Sequence, residues 1–360
     1  MRHDRVSRTE RRNVAARRID PRLTRALELL PRIVERRLRR LLFGFTVAML
    51  VCAPGSSTEG QPTHRPFRIG VLNAAWAASH PTVEGLKAGL RELGLQDGRD
   101  VTFDIRFTEG KLDTMPATAT ALVKAGVDLI FTSQEAATQA ARDASTSVPI
   151  VFTLVGDPVA AGAVGTLARP GGNVTGVSSL QTELVAKRLE VLRTLTPSIR
   201  RVWLIYYALD LSTTPMIGKA AEAAQRMKLD LLPKGVLDAA ELKRVLAEIR
   251  PDDAMLAPEG SNPDLTIAII ERSLGLRVPA VFGTALWIGY GGLLSYGPDY
   301  YAQGVQAATL VAKILRGAQP RDLPVQGAEK IDLAVNLKTA ELLSLTVPRK
   351  IMLRADAFRR

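Results

Sequence analysis

The chain of 360 residues carries a formal net charge of +12, is 46% hydrophobic and 23% charged, and holds one cysteine and three histidines. That composition describes a globular chain long enough for two domains, not a disordered one. A lone cysteine excludes an intramolecular disulfide, and His3, His64 and His80 show no metal-ligand spacing, so neither a disulfide scaffold nor a metal site is expected.

The charge is unevenly spread. Residues 1–60 hold 14 arginines against 6 acidic residues, whereas the remaining 300 hold 34 basic against 30 acidic ones. The latter is a mixed surface, so no nucleic-acid partner is expected. Residues 1–53 read as a basic leader and signal peptide: an arginine cluster from Arg32 to Arg40 precedes Leu41–Ala53, an uncharged run too short for a comfortable membrane span and suited to an export signal. Val51 and Ala53 would be the small residues before a cut near Pro54. A lipoprotein cut before Cys52 is the competing reading, against which Val51 stands where Gly, Ala or Ser is wanted; a retained N-terminal anchor is a third. The basic segment is longer than a signal needs, which leaves room for a start downstream of Met1. Residues 54–66 are a polar tether with several breakers.

Folding is expected from there on. Arg68–Asn73 reads as a strand, Ala74–His80 with Trp76 as its turn, and Pro81–Leu93 as a helix with Val83, Leu86 and Leu90 on one face. Val101–Phe107 alternates as a strand and Met115–Ala125 is helical. The central unit follows: strand Asp128–Thr132, an alanine-rich helix with Ser133 as N-cap and Glu135 in its first turn, and strand Val148–Leu154. Two parallel strands with a helical crossover make a right-handed unit, and such sheets bind ligands beyond the carboxyl ends of their strands. Thr132–Gln134 and Val155–Pro158 therefore lie at ligand-facing ends. The rhythm repeats from Arg201–Tyr207 through Pro279–Phe282, so two doubly wound α/β lobes stand in tandem, with Ala168–Gly176 suited to a crossing between them.

Three long segments, DPVAAGAVGTLARPGGNVTGVSS (157–179), GGLLSYGPDYYAQGVQAATLVAKILRGAQPRDLPVQ (291–326) and VNLKTAELLSLTVPRKIMLRAD (335–356), closely resemble the ABC-transporter substrate-binding proteins that include bacterial tryptophan- and tyrosine-binding lipoproteins. The resemblance spans about residues 66–357. It implies a type I periplasmic-binding fold with three hinge crossings: a first lobe of 67–173 plus about 298–325, and a second of 174–297 plus about 326–357. It also implies an extracytoplasmic solute-binding component of an ABC importer, working with a permease and its ATPase subunits, with membrane contact only through the permease or an N-terminal anchor. The solute would be an amino acid or related aromatic or carboxylate compound. Two stretches depart from the family: VQGAEK at 325–330 and the turn AAWAASH after the first strand.

In such a cleft a carboxylate can be held by hydroxyls and N–H groups at a helix N-terminus, which points to Thr132, Ser133 and Gln134. Ser133 could equally cap its helix. Asp157 suits an ammonium or hydroxyl group, or a turn before Pro158; Trp76 offers a stacking face, or packs under the rim. The second lobe offers Tyr206, Glu259, Ser261, Thr284 and Trp287, each also readable as a solvated loop residue; Tyr296 is expected to pack at the hinge. No nucleophile–base pair, phosphate loop or dinucleotide motif is present, so no catalysis and no cofactor are expected. The alternative is a ligand-sensing domain of the same fold serving a receptor or a transcription regulator; Leu41–Ala53 argues against the regulator, and the receptor stays open.

Overall fold

A computed structural model of the chain describes residues 65–74, 80–209, 213–257 and 263–359. The leader, Trp76, Glu259 and Ser261 lie outside the described residues.

The first strands are β1 (Phe67–Asn73), β2 (Val101–Phe107), β3 (Leu129–Ser133), β4 (Ile150–Val155) and β5 (Val174–Ser178). Between them run α1 (Pro81–Glu92), α2 (Met115–Lys124) and α3 (Glu135–Ala144). Helix α4 (Gln181–Leu195) opens the second half, followed by β6 (Arg201–Tyr207), α5 (Thr213–Arg226), β7 (Asp230–Val236), α6 (Ala239–Glu248), β8 (Asp253–Ala257), α7 (Pro263–Leu276), β9 (Ala280–Phe282), α8 (Leu286–Gly289) and β10 (Leu294–Pro298). The chain ends through α9 (Tyr300–Leu315), β11 (Gln326–Gly327), β12 (Ile331–Asn336), α10 (Leu337–Leu342), α11 (Arg349–Met352) and β13 (Ala357–Arg359).

One sheet has the order β11-β5-β4-β3-β1-β2, all parallel, and the other β13-β12-β10-β9-β8-β6-β7, in which β12 pairs antiparallel with β10 and β13 runs parallel to β12. Each is covered on both faces, as a doubly wound sheet requires. In the first lobe Val83, Leu86 and Leu90 of α1 bury against Ile69, Val71 and Phe131, while α2 and α3 cover the other face through Met115, Leu122 and Ala137. In the second, α4 and α5 cover one face and α6 and α7 the other.

The chain passes between lobes three times, and the registers fix how the sheets are oriented. It leaves β5 at its carboxyl end for α4, leaves β10 at its carboxyl end for α9, and leaves β11 at its carboxyl end for β12, whose Ile331 pairs with Pro298. Each departure point is the carboxyl end of a strand, so the carboxyl ends of both parallel sheets lie on the side from which the chain crosses. The crossings differ in two places from expectation. Val174–Ser178, assigned beyond the first crossing, pairs with β4, and Gln326–Gly327 pairs with β5, so both belong to the first sheet. The Gly171–Gly172 turn bends the chain into β5 instead of carrying it across.

The second and third crossings are tied together. Asp299 caps α9 by accepting from the Ala302 amide (3.1 Å), its own amide donates to Lys330 O (3.1 Å), and Lys330 Nζ meets its carboxylate at 2.5 Å. Burial pushes the Asp299 carboxyl upward, but the lysine and the backbone amides outweigh it and hold the group below the usual range.

Candidate functional site

The carboxyl ends of β3 and β4 form a buried polar seam. Thr132, Ser133 and Thr153 are all 0% exposed, and each hydroxyl meets another hydroxyl. Ser133 Oγ lies 3.1 Å from Thr82 Oγ1 and 3.3 Å from Thr153 Oγ1, while Thr132 Oγ1 meets Thr138 Oγ1 at 2.8 Å. One expectation changes here. Ser133 does not cap α3, because it is the last residue of β3 and its hydroxyl is spent across the seam. Thr132 and Ser133 are wholly buried at the end of β3 with their hydroxyls engaged within the fold.

Gln134 is the cap residue, at φ 78° and ψ 163°, a region populated almost only by glycine. The backbone is held there by Gln134 N donating to Thr153 O (2.9 Å) and by Thr138 N and Oγ1 donating to Gln134 O (3.1 and 2.8 Å). Its side-chain Oε1 is buried and accepts no hydrogen bond. Leu154, at φ 58°, marks a second left-handed position on the neighbouring strand end, where the β4–β5 register shifts; its amide donates to Gln303 Oε1 (3.3 Å). With β2 on the far side of β1, the β1–β3 junction is where the strand order reverses, the usual place for a ligand in such sheets. Gln134 follows β3 there.

Next to this seam, Glu135 Oε1 accepts from the Gly156 amide (2.7 Å), joining the loop after β3 to the loop after β4. Asp157 is half-buried, and its Oδ1 accepts from the amides of Val159 (3.2 Å) and Ala160 (3.0 Å). The turn-forming role is therefore in place, with one carboxylate oxygen engaged in it.

His80 closes the amino-terminal side. It accepts from the Thr82 amide as cap of α1, bonds Thr82 Oγ1 at 2.8 Å, and stacks on Tyr300 with ring centroids 5.9 Å apart. Burial holds its imidazole down at about 4, against an ordinary 6.5. The folded state therefore resists a proton that the unfolded chain accepts. Its stabilising effect is complete above pH 6.5 and is lost as pH falls through that value towards 4. His80→Asn keeps a capping side chain without titrating, and melting curves across that window should fall less steeply for the variant than for the parent.

In the second lobe Tyr206 and Tyr207 end β6 and point to opposite faces, packing against different cores. The Tyr206 ring lies over Gly235, where a Cβ would sit 3.1 Å from it, so it packs on β7. Thr284 is 2% exposed and its Oγ1 sits 3.4 Å from the Leu286 amide. Trp287 is half-buried on the core of α6 and α7, with the Tyr290 ring 5.7 Å away at 52°. Thr284 and Trp287 share the turn after β9. Glu259 and Ser261, expected after β8, fall outside the described residues. Asp253, 2% exposed, sits at the opposite end of β8 and binds Arg201 Nε (2.7 Å) and Trp203 Nε1 (2.8 Å), which makes it structural. Tyr296 packs against the core of the second lobe at the second crossing, as expected.

Sequence reasoning missed the strain at Gln134, the Glu135 bridge and Gln303. A non-glycine residue at a glycine conformation leaves no mark in a single sequence, and Gln303 meets β4 only through the third dimension. A groove of about 810 Å³ runs between α6 and α7, but its walls include Leu242, Leu246 and Leu265 of the helix–sheet core, and it lies in the helical layer outside the sheet. Among the described residues no three metal-ligating side chains cluster, and no helix is long and apolar enough to cross a membrane.

Comparison with known proteins matches residues 75–359 to a family described as ABC transporter substrate binding protein. A tyrosine-binding protein of Clostridioides difficile (strain R20291) is 26% identical over 272 residues, covering 74% of this chain and 78% of that protein. Among solved structures, a conserved domain protein from Vibrio cholerae O1 biovar El Tor has a TM-score of 0.76 and 27% identity, over 82% of this chain and 100% of its own. An ABC domain from Streptococcus pneumoniae in complex with L-Trp has a TM-score of 0.74 and 24% identity, over 82% and 100%, which is a likeness of fold. The architecture is the type I periplasmic-binding fold.

Proposed function

The chain belongs to the ABC transporter substrate-binding protein family, and from that premise we propose that it captures an aromatic amino acid, tryptophan or tyrosine first, between the carboxyl ends of its two sheets and delivers it to a membrane permease driven by ATPase subunits. Members of this family bind solutes and are not enzymes. The tyrosine-binding relative and the L-Trp complex support the solute class. The leader supports export, and ABC substrate-binding proteins act outside the cytoplasm. Closure is a hinge motion, and the solute stabilises the closed state only by its differential affinity for it.

Gln134 is the observation that carries this reading. Its strained backbone and its buried Oε1 without a donor stand at the reversal of strand order, where an amino or indole N–H of a solute would complete the acceptor. In this reading Asp157 flanks that group on the first lobe, and Thr284, Trp287 and the more packed Tyr206 face it from the second, with Thr132 and Ser133 behind it. Trp76, Glu259 and Ser261, outside the described residues, are proposed as solute contacts from their places in the sequence alone. A thermal-shift screen of the full chain against amino acids, sugars, purines and nucleotides tests the proposal. Tryptophan or tyrosine should raise the melting temperature in a concentration-dependent way, by about 2.7 kcal/mol of stability at one hundred times Kd. A shift confined to sugars or nucleotides would overturn the solute class.

A further inference from the structure

Arg188 of α4 is 0% exposed, yet its guanidinium is in contact with three separate segments. Nε donates to Tyr296 O (2.8 Å), Nη1 to Gln181 Oε1 (2.9 Å) and Nη2 to Gly283 O (3.3 Å). Each acceptor has a place in the hinge or the cleft. Gln181 opens α4 immediately after the first crossing. Tyr296 lies on β10, three residues before Asp299 at the second crossing. Gly283 precedes Thr284 and the turn that carries Trp287.

The node leaves no room for slack. A Cβ on Gly297 would sit 1.6 Å from Gly283 O and 3.1 Å from Arg188 Nη2, so β10 and the start of the Thr284 turn already touch through backbone. At Thr284 the turn's own hydrogen bonds are long: Trp287 N to Thr284 O is 3.4 Å and Leu286 N to Thr284 Oγ1 is 3.4 Å, against 3.1 Å for Ile288 N to Ala285 O. The start of the turn is therefore held weakly from within, where Gly283 O accepts from Arg188. A guanidinium presents five N–H donors in one rigid plane, whereas a lysine at the same position would be a single point of charge on a flexible stem. Burying a cation costs solvation, and packing alone would be served by leucine or methionine.

We propose that Arg188 is a positioning residue that locks the Thr284–Trp287 turn to the first two crossings, so that the ligand side of the second lobe and the hinge move as one body during closure. The part of this that concerns ligand rests on the solute-binding reading above; the mechanical part does not.

The test uses the full chain, its Arg188→Lys and Arg188→Met variants, hydrogen–deuterium exchange by mass spectrometry, and titration with L-tryptophan and L-tyrosine. Both variants should exchange at least tenfold faster at residues 283–288 and 296–299, with β1, β3, β6 and β8 within twofold of the parent. Affinity for whichever amino acid binds the parent should fall at least tenfold in both, because a lysine restores the charge without the three-armed geometry. Unchanged exchange at those two segments, acceleration spread evenly over both lobes, or full rescue by lysine would each overturn the proposal. Failure of the parent to bind either amino acid would strike the solute reading alone, and exchange would still decide the role of Arg188. Where neither variant folds, Gln181→Ala removes one arm and leaves the cation in place. Faster exchange at residues 181–184 and 296–299 then supports the lock, and parental exchange there overturns it.

Discussion

A valine at Gly304 should cost about 3 kcal/mol of folding stability, the upper end of the usual cost of overpacking a close helix contact. Helices α1 and α9 meet with almost no side chain between them. A Cβ on Gly304 would lie 2.1 Å from Thr82 O and 2.8 Å from Leu86 N, and one on Gly85 would lie 2.0 Å from Tyr301 O. The atoms in the way are backbone, which cannot rotate aside as a side chain can. The helices would have to separate, drawing Val83 and Leu86 away from Ala307, Ala308 and Val311 in the core of the first lobe. Helix α9 also receives the chain from the second crossing, so the seam fixes that crossing to the first lobe. Equilibrium urea unfolding checks the expectation through the midpoint, with Gly304→Ala falling between parent and valine. A parental midpoint for Gly304→Val would mean that the seam is looser than described.

The second large effect separates stability from binding at a single position. Gln134→Gly should raise stability by about 1–3 kcal/mol, because glycine adopts the observed backbone conformation without strain. The same substitution removes the buried carboxamide acceptor and should weaken solute binding by about tenfold or more, the scale of one hydrogen bond to a desolvated group. Gln134→Ala loses the acceptor and keeps the strain, so it should bind as poorly as the glycine variant without its gain in stability. Melting temperatures and titrations on the three proteins check both halves. A glycine variant that binds like the parent would remove Gln134 from the site; one that is less stable would mean that its side chain is structural.

Much of the fold was legible because its strands are short apolar runs bounded by breakers. Val101–Phe107 and Arg201–Tyr207 have the expected limits, and the tandem of lobes followed from the repeating rhythm. Ala168–Gly176 reads as a crossing because it holds a proline and a Gly-Gly pair, with the second lobe starting at Val174, although Val174–Ser178 is a buried strand of the first sheet. Arg188 escaped notice for a related reason. A reading that sorts helix positions into apolar and solvated faces places every arginine in water, and only the tertiary fold brings three acceptors to this one. The Gly85–Gly304 contact needs both helices at once, and neither sequence alone announces a partner. The family was legible in the long segments at 157–179, 291–326 and 335–356, whose resemblance agrees with the match over residues 75–359. At the proposed site, the pattern pointed to the strand ends after β3 and β4, but a single sequence does not show that the hydroxyls of Thr132 and Ser133 are bonded within the fold.

Capture of a solute between the two sets of strand ends is the central claim, and a crystal structure grown with L-tryptophan or L-tyrosine tests it most directly. The expected result is the amino acid enclosed between the ends of β3 and β4 on one lobe and the turn after β9 on the other, with an N–H group within hydrogen-bond distance of Gln134 Oε1. An amino acid seated instead in the groove between α6 and α7, with the strand ends open to solvent, would contradict it.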